Sequence, residues 1–390
     1  MRQWLIAVGY GFVAGVAATV VLKLMTFVTH LLWQGDESGW RIFVIIMAGG
    51  VLIALIRRFT KDYELELGQQ VSDARDLLNV RHRLVLLVAA TAVVSVGFGG
   101  ALGPEAGILA VVTEISAIMS ALLAQSAQER RLIGEAGVAG ALSGLYGSPP
   151  GGAIVGDEGS RTPFSLLLGA GVAGLLGFLL SASVLLESGA FRVQLPAYSA
   201  AGEGTDLLRA IPPALLGAVT GLAFVFVLPA LRALASKLGN ATVQTLVGTF
   251  LFAALASVLP ILRFSGHHEI ETLLEFGKTS GMATLMGLAF LKVLALTICL
   301  VSGWRGGAIF PLIFAGAAAG GAALWLMPGT SVTLALIAGI SSAVTIGFGK
   351  PAAAALIIIF MVAPFAGGPL CVGALIGYVA SLIGPKPELH

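Results

Sequence analysis

Charge is what this sequence has least of. Asp, Glu, Lys and Arg make up 11% of the 390 residues, against roughly 25% in ordinary soluble domains. Hydrophobic residues make up 57%, and the mean hydropathy is +0.97. No soluble core of this length needs so much apolar surface, so a soluble globular fold is excluded and a polytopic membrane protein is expected. A net charge of only +2 is too mild to suggest a nucleic-acid partner, and none is expected. Cysteine is nearly absent. Cys299 and Cys371 both lie inside apolar runs and read as small buried hydrophobes, supporting neither a disulfide framework nor a zinc site. Long hydrophilic stretches are lacking too, so a separate soluble domain is not expected.

What is present is a series of apolar segments, at 4–33, 41–56, 84–101, 107–125, 132–147, 164–186, 210–236, 244–262, 280–302, 307–327, 331–347, 351–365 and 368–383. The first is too long for a signal peptide and reads as a retained helix. Several fall short of the ~20 residues of a full span. Short helices broken by Gly and Pro must bury their broken backbone in protein or around a water-filled path. Glycine, 52 residues in all, suits both broken helices and close helix packing. The stretch 57–83 carries Arg57, Arg58, Lys61, Arg75, Arg81 and Arg83, and the positive-inside bias places it in the cytoplasm.

Two segments about 200 residues apart resemble each other. Gly99-Gly100-Ala101-Leu102-Gly103-Pro104 is echoed by Gly306-Gly307-Ala308-Ile309-Phe310-Pro311, and Tyr146-Gly147-Ser148-Pro149 by Phe348-Gly349-Lys350-Pro351. Pro104 and Pro311 are 207 residues apart, and Pro149 and Pro351 are 202 apart. This predicts one membrane domain, residues 1–390, made of two repeats at about 1–195 and 205–390. Paired interrupted segments in two halves point to a substrate site near the membrane midplane. Pro149, Pro311 and Pro351 are the expected helix breaks.

Pro104 is placed to open a helix, since its missing N–H has no partner there anyway. Glu105 then falls in the first turn, where the helix dipole attracts an anion and a carboxylate alike. It reads as a gate, ionised to compete with the anion and protonated to release; the alternative is a simple helix cap. Gly103, Pro104 and Ala106 around it, and Gly307, Ala308, Ile309 and Phe310 in the second copy, are the candidate backbone ligands. Arg305 either draws anions to the site or lies at the membrane surface.

These motifs resemble the CLC family of chloride channels and proton/chloride antiporters. Gly103-Pro104-Glu105-Ala106-Gly107 is similar to the family's Gly-x-Glu-Gly-Pro, with the glutamate kept and the trailing Gly-Pro replaced. Gly307-Ala308-Ile309-Phe310-Pro311 is similar to its Gly-x-Phe-x-Pro, with the aromatic shifted by one. The resemblance implies an all-α inverted repeat with many short, tilted or broken helices. It implies a homodimer in a bilayer, one pathway per subunit and no cofactor. The expected function is transport of an inorganic anion, chloride first, in a bacterial inner membrane.

Three departures qualify the expectation. The family's serine ligand has no counterpart, because Asp62 to Val71 holds neither Ser nor Pro. Its tyrosine ligand would fall near Leu389. Its internal glutamate pair aligns with Glu158 and Gly159, so the second member is missing. Asp157 and Glu158 form either a displaced proton relay or a solvated acidic loop. The missing hydroxyls leave fluoride, nitrate or an organic anion as alternative substrates. An intramembrane enzyme is a remote alternative, since Ser143 lacks a paired His. No catalytic or metal-binding set is expected. Gly266-His267-His268-Glu269 reads as a polar lead-in to a helix rather than a metal cluster, Lys292 as a side chain reaching for the interface, and Lys350 as near a surface. Glu114, nine residues after Glu105, falls on the opposite helix face.

Overall fold

The computed structural model describes residues 1–35, 37–60, 82–157, 160–186, 192–200, 204–279 and 281–385. Glu158, the region from Asp62 to Val71 and Leu389 lie outside them.

The chain is almost wholly helical. Its first half contains α1 (Arg2–Leu32), α2 (Gly39–Thr60), α3 (His82–Gly97), α4 (Glu105–Leu123), α5 (Ala127–Tyr146), α6 (Pro149–Asp157) and α7 (Phe164–Leu185). The second contains α8 (Thr205–Arg209), α9 (Ile211–Ser236), α10 (Ala241–Val258), α11 (Ile270–Thr279), α12 (Met282–Val301), α13 (Ile309–Ala323), α14 (Val332–Phe348), α15 (Pro351–Met361) and α16 (Gly367–Ser381). Among the described residues, seven helical stretches are long and apolar enough to cross a membrane. The protein is therefore integral and multi-pass.

Each half is built round closely packed helices. In the first, α1, α5 and α7 meet at Gly15, Gly140 and Gly174, where a Cβ on Gly174 would collide with the Gly140 backbone. In the second, α9 and α14 meet at Gly217 and Gly339 in the same way. With no hydrophobic drive between helices in lipid, close backbone approach of this kind supplies the packing energy. A pair of short parallel strands, Val193–Gln194 with Val362–Ala363, ties the linker between the halves to the end of the second.

Local chemistry sets the breaks. α5 begins at Ser126, whose hydroxyl accepts from the Glu129 N–H, while Glu129 Oε2 accepts from the Gln125 N–H. This is a near-reciprocal cap. α5 ends at Gly147 and α14 at Gly349, both left-handed (φ 66° and 69°). Pro149 and Pro351 then open α6 and α15, as the sequence indicated. Pro311 is different: it sits in the first turn of α13, and the break lies upstream of it.

Candidate functional site

Two Schellman-type helix ends bring the halves together. α3 stops at Gly99 (φ 87°), with the Gly100 N–H donating to Ser95 O at 2.8 Å. α12 stops at Gly303 (φ 83°), with the Trp304 N–H donating to Cys299 O at 3.1 Å. Beyond each end the chain runs four residues to Gly103 and Gly307. These two pair with each other in an antiparallel bridge: the Gly103 N–H donates to Gly307 O at 2.8 Å and the Gly307 N–H to Gly103 O at 3.0 Å. Helices α4 and α13 start two residues later, at Glu105 and Ile309.

Gly99 and Gly303, like Gly103 and Gly307, are 204 residues apart. The proline spacing of 207 therefore misplaced the register by three. Pro104 is the N-cap of α4, and its counterpart is Ala308, the N-cap of α13. Proline is tolerated through the first helical turn, so it marks the turn without fixing the position within it.

The bridge also revises the set of backbone ligands. Gly103 and Gly307 spend their N–H groups on each other, and Pro104 has none to give. The amides left without intrahelical acceptors are those of the first turns, at Glu105 and Ala106 in α4 and at Ile309 and Phe310 in α13. The Ala308 amide precedes them.

Glu105 is fully buried. Its carboxyl lies between the two glycines of the bridge: a Cβ on either Gly103 or Gly307 would collide with the carboxyl carbon and both oxygens. The amides of Glu105 itself and Gly307 approach it, although neither oxygen has a hydrogen bond of good geometry among the described residues. The carboxyl thus occupies the point where two positive helix ends converge.

Two cavities are lined by residues adjoining this point. One, of about 280 Å³, is lined by Arg57, Arg232 and Arg305, by Phe348, and by the backbone from Gly306 to Ile309. Arg57 is held by Thr245 Oγ1 at 2.8 Å and by the carbonyl of Ala241. The Arg305 backbone N–H donates to Ser95 Oγ at 2.8 Å, which fixes the loop between α12 and α13 against α3. Arg305 thus lines this chamber together with Arg57 and Arg232. Of its companions, Arg57 was read only as part of the basic stretch 57–83, and Arg232, a lone charge near a helix end, was not singled out.

The other cavity, of about 690 Å³, is lined by Leu102, Pro104, Lys23, His30, His267 and other residues. His267 is bonded to Ser265 Oγ through Nδ1 at 2.7 Å and packs on the Phe310 ring with centroids 4.7 Å apart. No cluster of three metal-ligating side chains occurs among the described residues. The expected lead-in to a helix is what His267 to Glu269 form, ahead of α11.

Lys292 departs from expectation. It is fully buried rather than extended to an interface, and Nζ donates to the carbonyls of Leu262, Arg263 and Phe264 at 2.9–3.1 Å. Three orphan carbonyls at the end of a short helical turn give the ammonium a better partner than distant water. Asp157 is the last residue of α6, half-buried. Ser143 donates to Pro149 O at 3.3 Å, a structural bond at the helix break.

Residues 65–382 match the sequence profile of the family described as Voltage gated chloride channel. YfeO of Escherichia coli O17:K52:H18 (strain UMN026 / ExPEC), a protein named for ion transport, is 26% identical over 340 residues, covering 80% of this chain and 77% of its own. Its Shigella flexneri counterpart is 26% identical over 341 residues with the same coverage. Among solved structures, a slow cyanobacterial Cl−/H+ antiporter superimposes with a TM-score of 0.82 at 18% identity, over 100% of this chain and 96% of its own. A CLC-type fluoride/proton antiporter gives 0.77 at 17% identity, over 100% and 97%. At such identities the likeness establishes the fold, an all-α inverted repeat.

Proposed function

The chain belongs to the voltage gated chloride channel family, and from that premise we propose that it moves an inorganic anion, chloride first, between the two cavities with Glu105 as the gate. The observation that carries this reading is the seat of the Glu105 carboxyl. It lies buried against Gly103 and Gly307 where the first turns of α4 and α13 converge. A carboxylate is an anion, so its seat marks where a transported anion is stabilised by helix N-termini.

The step follows from competition for that seat. Ionised, Glu105 holds the place and the path is closed. Protonated, it loses its attraction to the helix ends and the anion takes the amides of Glu105, Ala106, Ala308, Ile309 and Phe310. Arg305, with Arg57 and Arg232, concentrates anions in the adjoining chamber. That chamber faces the cytoplasm, since Arg57 begins the basic stretch assigned to that side. The repeats at about 1–195 and 205–390, a homodimer and a bacterial inner membrane complete the proposal.

In this reading proton coupling runs through Glu105, with Asp157 and Glu158 as the relay. The second reading is a different anion, fluoride above all. The observation favouring it is the sequence from Asp62 to Val71, which has no serine to offer chloride.

Reconstituted vesicles test both. Chloride efflux and external pH are recorded together under a chloride gradient with valinomycin, then fluoride and nitrate replace chloride. Chloride efflux that drives protons uphill supports the antiporter. Efflux without proton movement leaves a channel gated by Glu105. No flux of any anion would end the proposal.

A further inference from the structure

Tyr146 ends α5 immediately before the left-handed Gly147. It is 2% exposed, and its ring lies 6.1 Å from the Phe310 ring in the first turn of α13. Among the described residues the Tyr146 hydroxyl has no hydrogen-bond partner. The contrast with the other buried phenol is sharp: Tyr10 bonds Ser116 Oγ at 2.7 Å and Val112 O at 3.2 Å. The neighbouring hydroxyls are also committed. Ser148 donates to Leu356 O at 2.8 Å and accepts from the Gly151 N–H, and Ser143 serves Pro149 O.

Tyr146 is buried as a residue, but its hydroxyl is not one of the sealed polar atoms that lack a partner, so it borders open space. The repeat gives it a counterpart. Phe348 ends α14 just before Gly349, 202 residues after Tyr146, and lines the chamber beside Ile309. The two aromatic residues at the two helix breaks thus both lie near the start of α13, and only Tyr146 carries a donor.

We propose that the Tyr146 hydroxyl is a specificity-determining donor to the transported anion, engaged when the anion replaces the Glu105 carboxyl. This rests on the proposed transport reading. A phenol O–H gives one strong, directed bond to a small hard anion. It gives little to a large, weakly hydrated one, which loses less on leaving water. The donor therefore ranks anions by charge density.

The test is Tyr146→Phe, which deletes one oxygen and keeps the ring, with Tyr10→Phe as control. Both are reconstituted beside the parent protein, and flux is measured for chloride, fluoride and thiocyanate. Flux of chloride and fluoride should fall about tenfold or more in Tyr146→Phe, the worth of one hydrogen bond to a charged partner, while thiocyanate flux is held. Thermal stability of Tyr146→Phe should equal or exceed the parent's, because an unbonded hydroxyl contributes nothing to the folded state. Tyr10→Phe should show the reverse, with lowered stability and an unchanged anion order. An unchanged anion order in Tyr146→Phe would overturn the proposal, as would an equal loss for all three anions. A parent protein that passes none of them refutes the transport reading itself, a different result.

Discussion

Substituting Gly307 by alanine tests the seat of the gate directly. Gly307 lies outside the left-handed region, so alanine meets no torsional obstacle there. The obstacle is steric: the new methyl would overlap the Glu105 carboxyl carbon and both oxygens. Forcing a methyl into a packed site costs about 1–3 kcal/mol, and here nearly all of it comes from one side chain. Shortening that side chain should remove the cost. Gly307→Ala, Glu105→Ala and the double variant form a cycle, with thermal or denaturant unfolding in detergent as the readout. A coupling energy of about 1–3 kcal/mol is expected, with the double variant more stable than the sum of singles implies. Vesicle flux supplies the second readout. The methyl stands where the anion must sit, so flux should remain at least about tenfold down even in the stable double variant. Strictly additive stabilities would mean that the two residues do not share one space, and the account of the gate would fall.

Three further perturbations read other parts of the site. Glu105→Gln should leave flux independent of pH, whereas in the parent flux rises as pH falls and the carboxylate is protonated; a variant that keeps the parental pH profile would remove Glu105 as the sensor. Arg232→Gln and Arg305→Gln should slow anion flux severalfold at low salt, and the deficit should close near 1 M salt, where the screening length is about 3 Å; a deficit that ignores salt would argue against a steering field. Lys292→Met should destabilise the fold by at least about 3 kcal/mol, since three buried carbonyls lose their donor at once, and unfolding measurements showing no loss would contradict the bonds described for it.

The helices were legible because lipid imposes a simple rule: every apolar segment read from the sequence has its helix. The break positions were legible for a related reason. Gly147 and Gly349 supply left-handed caps, and Pro149 and Pro351 restart the chain without an N–H. Glu105 stood out as a charge in apolar surroundings. What stayed hidden depends on contacts between distant segments. Nothing near Lys292 in sequence shows that Leu262, Arg263 and Phe264 turn their carbonyls toward it. Arg57 and Arg232 lie far apart along the chain, and only packing of α2 and α9 around the start of α13 makes them one chamber with Arg305. Tyr146 was quoted only as part of a repeat, because an aromatic at a helix end is ordinary until its hydroxyl is seen to lack a partner. The bridge between Gly103 and Gly307 was hidden as well, and with it the fact that these two amides already serve each other's carbonyls.

That bridge constrains how the protein can move. Each half gives one N–H and receives one, between two buried glycines just ahead of α4 and α13. Rocking one half against the other would shear both bonds together and expose four polar groups to an apolar interior. The central pairing therefore acts as a rivet, and the motion left to the site is the swing of a single carboxylate about its own side-chain bonds. If Glu105 is the gate, as proposed, transport needs no alternation of whole halves, and its speed follows how often that carboxyl leaves its seat.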